Sequence, residues 1–168
     1  MVGAHNGVLT YGRRTGAFDL ARMNSFFDYE AAKAAYHKIE FPKMRIVLTG
    51  TGRVASGAAK VLEDMGIKKV AANDYLDKTY DHAVFTQLGC QDYVARKDGK
   101  DFVETNFYQS PDEFKSIFLP YAHRSDLMIN GIYWDNQAPA FFTVSQMKKK
   151  DFKIKVIADV TCDIAPLS

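Results

Sequence analysis

Apolar positions in this chain fall into short runs that alternate between two periods, with glycines between them. Arg45-Ile46-Val47-Leu48-Thr49 is a continuous run that stops at Gly50, as in a strand buried on both faces. Ala55, Ala58, Ala59, Leu62 and Met65 then recur at i, i+3, i+4, i+7 and i+10, which is one apolar stripe along a helix. Gly66 follows where a helix C-cap accepts a positive φ, and residues 67–72 read as a second strand. Ser110-Pro111-Asp112-Glu113 joins a capping box to a proline at the first helical position, predicting a helix to about residue 121. Residues 127–133 read as a strand, 144–150 as a short helix and 155–160 as a last strand. Residues 75–107 hold one or two short strands and loops that the pattern does not place. Strands alternating with helices call for a parallel sheet covered on both faces. The predicted fold class is α/β with a doubly wound sheet.

The first forty residues lack this punctuation. Gly3, Gly7, Gly12 and Gly16 are spread among polar and aromatic residues, with Arg13 and Arg14 between them. A helical piece at 30–37, rich in good helix formers, follows Ser25 and Asp28, either of which can cap it. Pro42 ends it. Residues 1–41 are therefore read as an N-terminal arm or helical connector, and 44–168 as the domain proper. A length of 168 residues suits about one domain. With 47% apolar and 13% aromatic residues, the chain is neither disordered, collagen-like nor a coiled coil. A net charge of +2 is too mild to argue for nucleic acid. The least charged long stretch, 131–147, still holds Asp135 and Pro139, so no transmembrane helix is expected. The N-terminus shows no signal pattern. Cys90 and Cys162 form no CxxC pair and read as reduced thiols of a cytoplasmic protein. His5, His37, His82 and His123 show no ligand spacing, and no metal site is expected.

The chemistry lies in Gly50-Thr51-Gly52-Arg53-Val54-Ala55, followed by Gly57. This matches G-x-G-x-x-G/A with Ala last. Gly50 permits the tight strand-to-helix turn, and Gly52 lets the backbone approach a pyrophosphate with no Cβ in the way. Ala55 and Gly57 keep the helix close to the sheet. The unpaired N–H groups at the helix start, in the stretch of Arg53 and Val54, then face the phosphates with the helix dipole behind them. Such a hexapeptide recurs in many turns, but here a buried strand precedes it and a striped helix follows. Asp74 lies at roughly the 20-residue distance expected of the carboxylate that binds the adenosine ribose diol. The plain alternative is a glycine-capped β-α-β unit without ligand, with Asp74 an ordinary loop acid. A carboxylate there accepts from the 2′-hydroxyl and repels a 2′-phosphate. Tyr75 and Leu76 add no arginine, so NAD is expected to bind more tightly than NADP, a preference that Lys78 tempers. The sheet is thus expected to be of the Rossmann type.

Four stretches occur in order: 45–58, then Ser125-Asp126-Leu127-Met128-Ile129-Asn130-Gly131-Ile132-Tyr133, then Gln137-Ala138-Pro139-Ala140-Phe141-Phe142-Thr143, then Val156-Ile157-Ala158-Asp159-Val160-Thr161-Cys162-Asp163. Together they resemble the nucleotide-binding domain of the alanine dehydrogenase, pyridine nucleotide transhydrogenase and lysine-forming saccharopine dehydrogenase superfamily. Arg53 and the final D-V-T-C-D segment point to the saccharopine dehydrogenase side. Residues 3–7 and 11–12 look like the segment where such chains cross between domains. The resemblance implies an NAD-dependent oxidoreductase of two domains, whose acid–base lysine and histidine belong to the other domain. Nothing in this chain matches them, so it is read as an excised cofactor domain, inactive alone, that meets an amino-acid substrate through a domain outside it. The resemblance also implies that Asn130, Gly131 and Ile132 lie beside the nicotinamide ribose, where ligands of such sheets are found. Asp163 would lie near the nicotinamide and the domain cleft. The plainer roles are a strand-end turn for Asn130 and a helix cap for Asp163.

Other features have plainer readings. His123 suits a helix C-terminus, His82 the surface near Asp81, Cys162 a packed thiol, and 148–150 a solvated face. The leading expectation is hydride transfer between NAD and an amino acid or imine, as in the reversible cleavage of saccharopine to lysine and 2-oxoglutarate. An alanine dehydrogenase-type domain is the runner-up. A non-catalytic NAD-binding module and an S-adenosylmethionine-binding sheet remain the alternatives of other classes, and association into a homo-oligomer is left open.

Overall fold

The structure, a computed structural model, describes residues 1–133 and 135–161. Its sheet is parallel and five-stranded, built from β1 (Arg45–Thr49), β2 (Lys68–Lys69), β3 (Val84–Leu88), β6 (Leu127–Asn130) and β7 (Val156–Asp159) in the order β2-β3-β1-β6-β7. The pairing is in register throughout, with Ile46 opposite both Phe85 and Leu127. A two-stranded antiparallel ribbon, β4 (Val94–Arg96) and β5 (Phe114–Ser116), stands apart. The expected α/β sheet with helices on both faces is therefore present. Strand β1 is fully central: Ile46, Val47, Leu48 and Thr49 are all buried, as the unbroken apolar run requires.

On one face lie α1 (Val2–Thr15) and α3 (Arg53–Asp64), whose Ala55, Ala58, Ala59 and Leu62 pack with Ile46, Leu48 and Phe85. On the other lie α4 (Ala72–Asp77), α5 (Cys90–Tyr93), α6 (Glu104–Gln109) and α7 (Leu119–Ala122). There Tyr75, Tyr93, Phe107, Phe114 and Phe118 form a second core with Val47, Val84 and Met128. Helix α2 (Tyr29–Tyr36) begins at Asp28, whose carboxylate accepts from Ala31 N at 2.8 Å, and α8 (Val144–Met147) begins at Thr143.

Three local expectations are corrected. Residues 2–15 are a helix in the main core, not an arm: Ala4, Val8 and Tyr11 are buried. A Cβ on Gly7 would meet Ala158 Cβ at 2.7 Å, so the early glycines let this helix lie flat on β6 and β7. The helix expected over 110–121 is a 3₁₀ turn (Pro111–Glu113), then β5, then the short α7. Phe114 is drawn into the ladder opposite Arg96 and buried, and burying its ring outweighs the local helix signal. The strand after α3 is two residues long, both exposed, at the sheet edge. Its successor β3 takes the place beside β1.

Candidate functional site

Strands β1, β3 and β6 end together around a cleft of about 470 Å³. Its floor is the glycine turn. Gly50 holds φ +99° and donates its N–H to Leu88 O at 2.9 Å. Gly131, the first residue after β6, donates to Thr49 O at 3.0 Å. The two turns touch: a Cβ on Gly50 would lie 2.7 Å from Gly131 O, and one on Gly131 would lie 3.2 Å from Ala55 Cα. Both glycines are needed for this abutment. Above Gly52 the space is open, with nothing within 4 Å of a built Cβ. Gly52 precedes α3 in extended geometry, with no side chain to cap the helix. The N–H groups of the first turn, with Arg53 and Val54 exposed beside them, therefore remain available to an anion. Ala55 is buried against the sheet. A Cβ on Gly57 would instead lie 3.5 Å from Met1 Cγ, so Gly57 faces the start of α1 rather than the sheet.

Asn130 is 6% exposed and its side chain is committed. Its Oδ1 accepts from Thr49 Oγ1 at 2.7 Å and its Nδ2 donates to Asp159 Oδ1 at 3.3 Å. It ties the ends of β1, β6 and β7 beneath the cleft and presents the next two residues, Gly131 and Ile132, to the cavity. Asp74 is not among the residues that line the cleft. It lies on α4, ion-paired with Lys78 Nζ at 3.0 Å. The next residue, Tyr75, reaches Ser125 Oγ at 2.7 Å and stacks 4.3 Å under the Arg45 guanidinium. Ser125 and Arg45 stand where β6 and β1 begin, the end of the sheet opposite the glycine turn. The expected second strand ends too early to carry Asp74, and Ala72-Asn73-Asp74 winds into a helix that runs back down the sheet. Cys162 and Asp163 lie outside the described residues.

The upper wall was not legible in the sequence. It comes from Cys90 and Tyr93 of α5, Phe107 and Tyr108 of α6, and Phe141 from the stretch between β6 and α8. Cys90 Sγ lies 3.2 Å from the Tyr93 hydroxyl and 3.7 Å from that of Tyr108. Burial and the neighbouring thiol push the Tyr93 phenol well above its ordinary range, and the same thiol, with burial, does so for Tyr108. Both therefore act as neutral hydrogen-bonding groups. Tyr133, which is 90% exposed, and Asp135 close the β6 side. Tyr133 is the last residue of the 125–133 stretch, and Asp135 lies between it and the 137–143 stretch. Among the described residues that line the cleft there is no lysine or histidine.

No family model matches the chain. Alpha-aminoadipic semialdehyde synthase, mitochondrial, of Bos taurus is 28% identical to it over 109 residues, covering 60% of this chain and 11% of that protein. The chain thus corresponds to a small part of the relative it matches.

Proposed function

We propose that this chain is the dinucleotide-binding domain of an oxidoreductase acting on an amino acid, or on an imine of an amine and a 2-oxo acid. The observation that carries it is the glycine turn at the floor of the cleft, with open space above Gly52 and the first turn of α3 uncapped. The turn also lies where such sheets bind ligands, at the strand ends beside the central β1. In this reading the backbone of Gly50, Gly52, Arg53, Val54 and Ala55 receives the pyrophosphate, and Gly131 and Ile132 border the nicotinamide half. Asn130 acts from below as a positioning residue. A bound nicotinamide would supply hydride acceptance or donation. The protein's part is to hold the ring, exclude water with the Tyr93, Phe107 and Phe141 wall, and leave one side of the cleft open to a substrate. The likeness to alpha-aminoadipic semialdehyde synthase and to the dehydrogenase superfamily supports amino-acid chemistry.

Calorimetric titration with NAD, NADP and S-adenosylmethionine tests the assignment. At least one dinucleotide should bind and S-adenosylmethionine should not. Gly52→Val should abolish dinucleotide binding with little change in thermal stability, because its Cβ would project into the open space. Binding of S-adenosylmethionine, or of neither dinucleotide, would overturn the reading.

A further inference from the structure

Away from the cleft, the outer side of α1 carries a surface of its own. Val2, Leu9 and Arg13 recur at i, i+7 and i+11, so they share one face of the helix. Met23, which opens the 3₁₀ turn Met23–Ser25, lines an open groove of about 840 Å³ together with them. Its apolar lining is Val2, Leu9 and Met23, and its cations are Arg13, Arg14 and Arg22. From Val2 to Arg13 the helix runs about 17 Å at the usual rise.

The charges of this groove are poorly compensated. Residues 1–27 hold these three arginines and one acid, Asp19. Asp19 lies 3.8 Å from Arg13 with 88% of its side chain exposed, a pair that solvent weakens. The side chains of Arg14 and Arg22 form no ion pair or hydrogen bond among the described residues. A place in the last turn of α1 accounts for Arg13 and Arg14, whose charge suits a helix C-terminus. It does not account for Arg22, which precedes the 3₁₀ turn. Nor does it account for the exposed apolar side chains of the same segment: Val2 is 54% exposed, and Phe27, two residues past that turn, is 98% exposed. Arginine, methionine and phenylalanine are the residue types that protein interfaces gather.

We propose that this groove receives an acidic, amphipathic segment of a partner protein. The apolar face of that segment lies on Val2, Leu9 and Met23, and its carboxylates meet the three guanidinium groups. Charge and length choose this occupant. Guanidinium groups bind carboxylates bidentately, and one exposed acid does not satisfy three of them. About three helical turns of groove exceed what a small anion fills and suit a peptide. The surface is concave, which a bilayer cannot follow. The proposal is independent of the dinucleotide reading.

Fluorescence anisotropy of the whole chain with a labelled peptide of about four helical turns tests it. The peptide carries leucines on one helical face and glutamates beside them, and a second peptide has glutamine at each glutamate. The glutamate peptide should bind, less tightly as salt is added, and the glutamine peptide should bind about tenfold more weakly. Arg14→Gln combined with Arg22→Gln should weaken the glutamate peptide about tenfold, in the range of exposed charge-assisted contacts. The thermal midpoint should hold, because both side chains are exposed. Lys148→Gln combined with Lys149→Gln removes the same charge elsewhere and should leave binding unchanged. Absence of binding, equal binding of the two peptides, or an equal loss in the lysine and arginine variants overturns the proposal. So does binding of phosphatidylserine-containing vesicles in place of the peptide, which would give the groove to a lipid surface. Self-association of the wild type that the arginine variant abolishes, read by sedimentation velocity, would give it to a second copy of this chain and likewise overturn the proposal.

Discussion

His5 is fully buried, at 0% exposure, and it links three segments. Its Nδ1 lies 2.8 Å from the Tyr36 hydroxyl and its Nε2 lies 2.8 Å from Ala21 O. Burial and the charge of Asp64 push the Tyr36 phenol up to about 12, so it stays protonated and donates to Nδ1. Nε2 must then carry the proton given to Ala21 O, which makes the ring a neutral donor–acceptor bridge. Tyr36→Phe leaves Nδ1 buried without a donor and should cost about 1–3 kcal/mol in urea unfolding. Burial also holds His5 below its ordinary 6.5. As pH falls below 6.5 the unfolded chain takes up this proton first, so the bridge contributes fully above 6.5 and fades toward the lower native value. His5→Phe should flatten the fall in stability between pH 7.5 and 5, and an unchanged slope would contradict the bridge.

At the scale of elements, α1 shows how a helix can hide from its sequence. Its buried residues are Ala4, His5, Gly7, Val8, Leu9, Tyr11 and Gly12, with too many small and polar positions to register as a strong apolar stripe. Those small residues are what the packing requires, because β7 passes close beneath. Gly7→Leu improves helix propensity but drives a side chain into Ala158, 2.7 Å from the built Cβ. It should destabilise the chain by about 1–3 kcal/mol, whereas Asn6→Ala on the exposed face should change the thermal midpoint little. Equal midpoints for Gly7→Leu and the wild type would mean that α1 does not rest on the sheet. The region 110–121 errs in the opposite direction, since a good local helix signal yields to the burial of Phe114 in a ribbon.

At the scale of the whole molecule, the cleft proposed to hold a dinucleotide has no lysine or histidine among its described lining residues. Its described lining has Cys90, two phenols held neutral, Tyr133 and Asp135. Hydride transfer to or from an amino acid also needs an acid–base group at the substrate nitrogen. The chain alone, with NAD or NADP and L-alanine, L-lysine or saccharopine, should therefore give no change in nicotinamide absorbance above the protein-free control. Turnover in proportion to protein would mean that a residue here carries the proton. By itself the sequence determined what is contiguous: the buried strand β1, the turn at 50–55, the stripe of α3 and the cap at Asp28. Each depends on backbone geometry and periodicity within one segment, where short-range sterics and local burial decide. The neighbour of β1 was decided only in three dimensions, because strand order depends on which crossovers cover which face of the sheet. That choice left Asp74 out of the cleft lining and brought Cys90 and Tyr108 to the side of the glycine turn. No spacing along the chain encodes those juxtapositions, since each joins side chains from separate elements whose approach depends on the packing of the two cores.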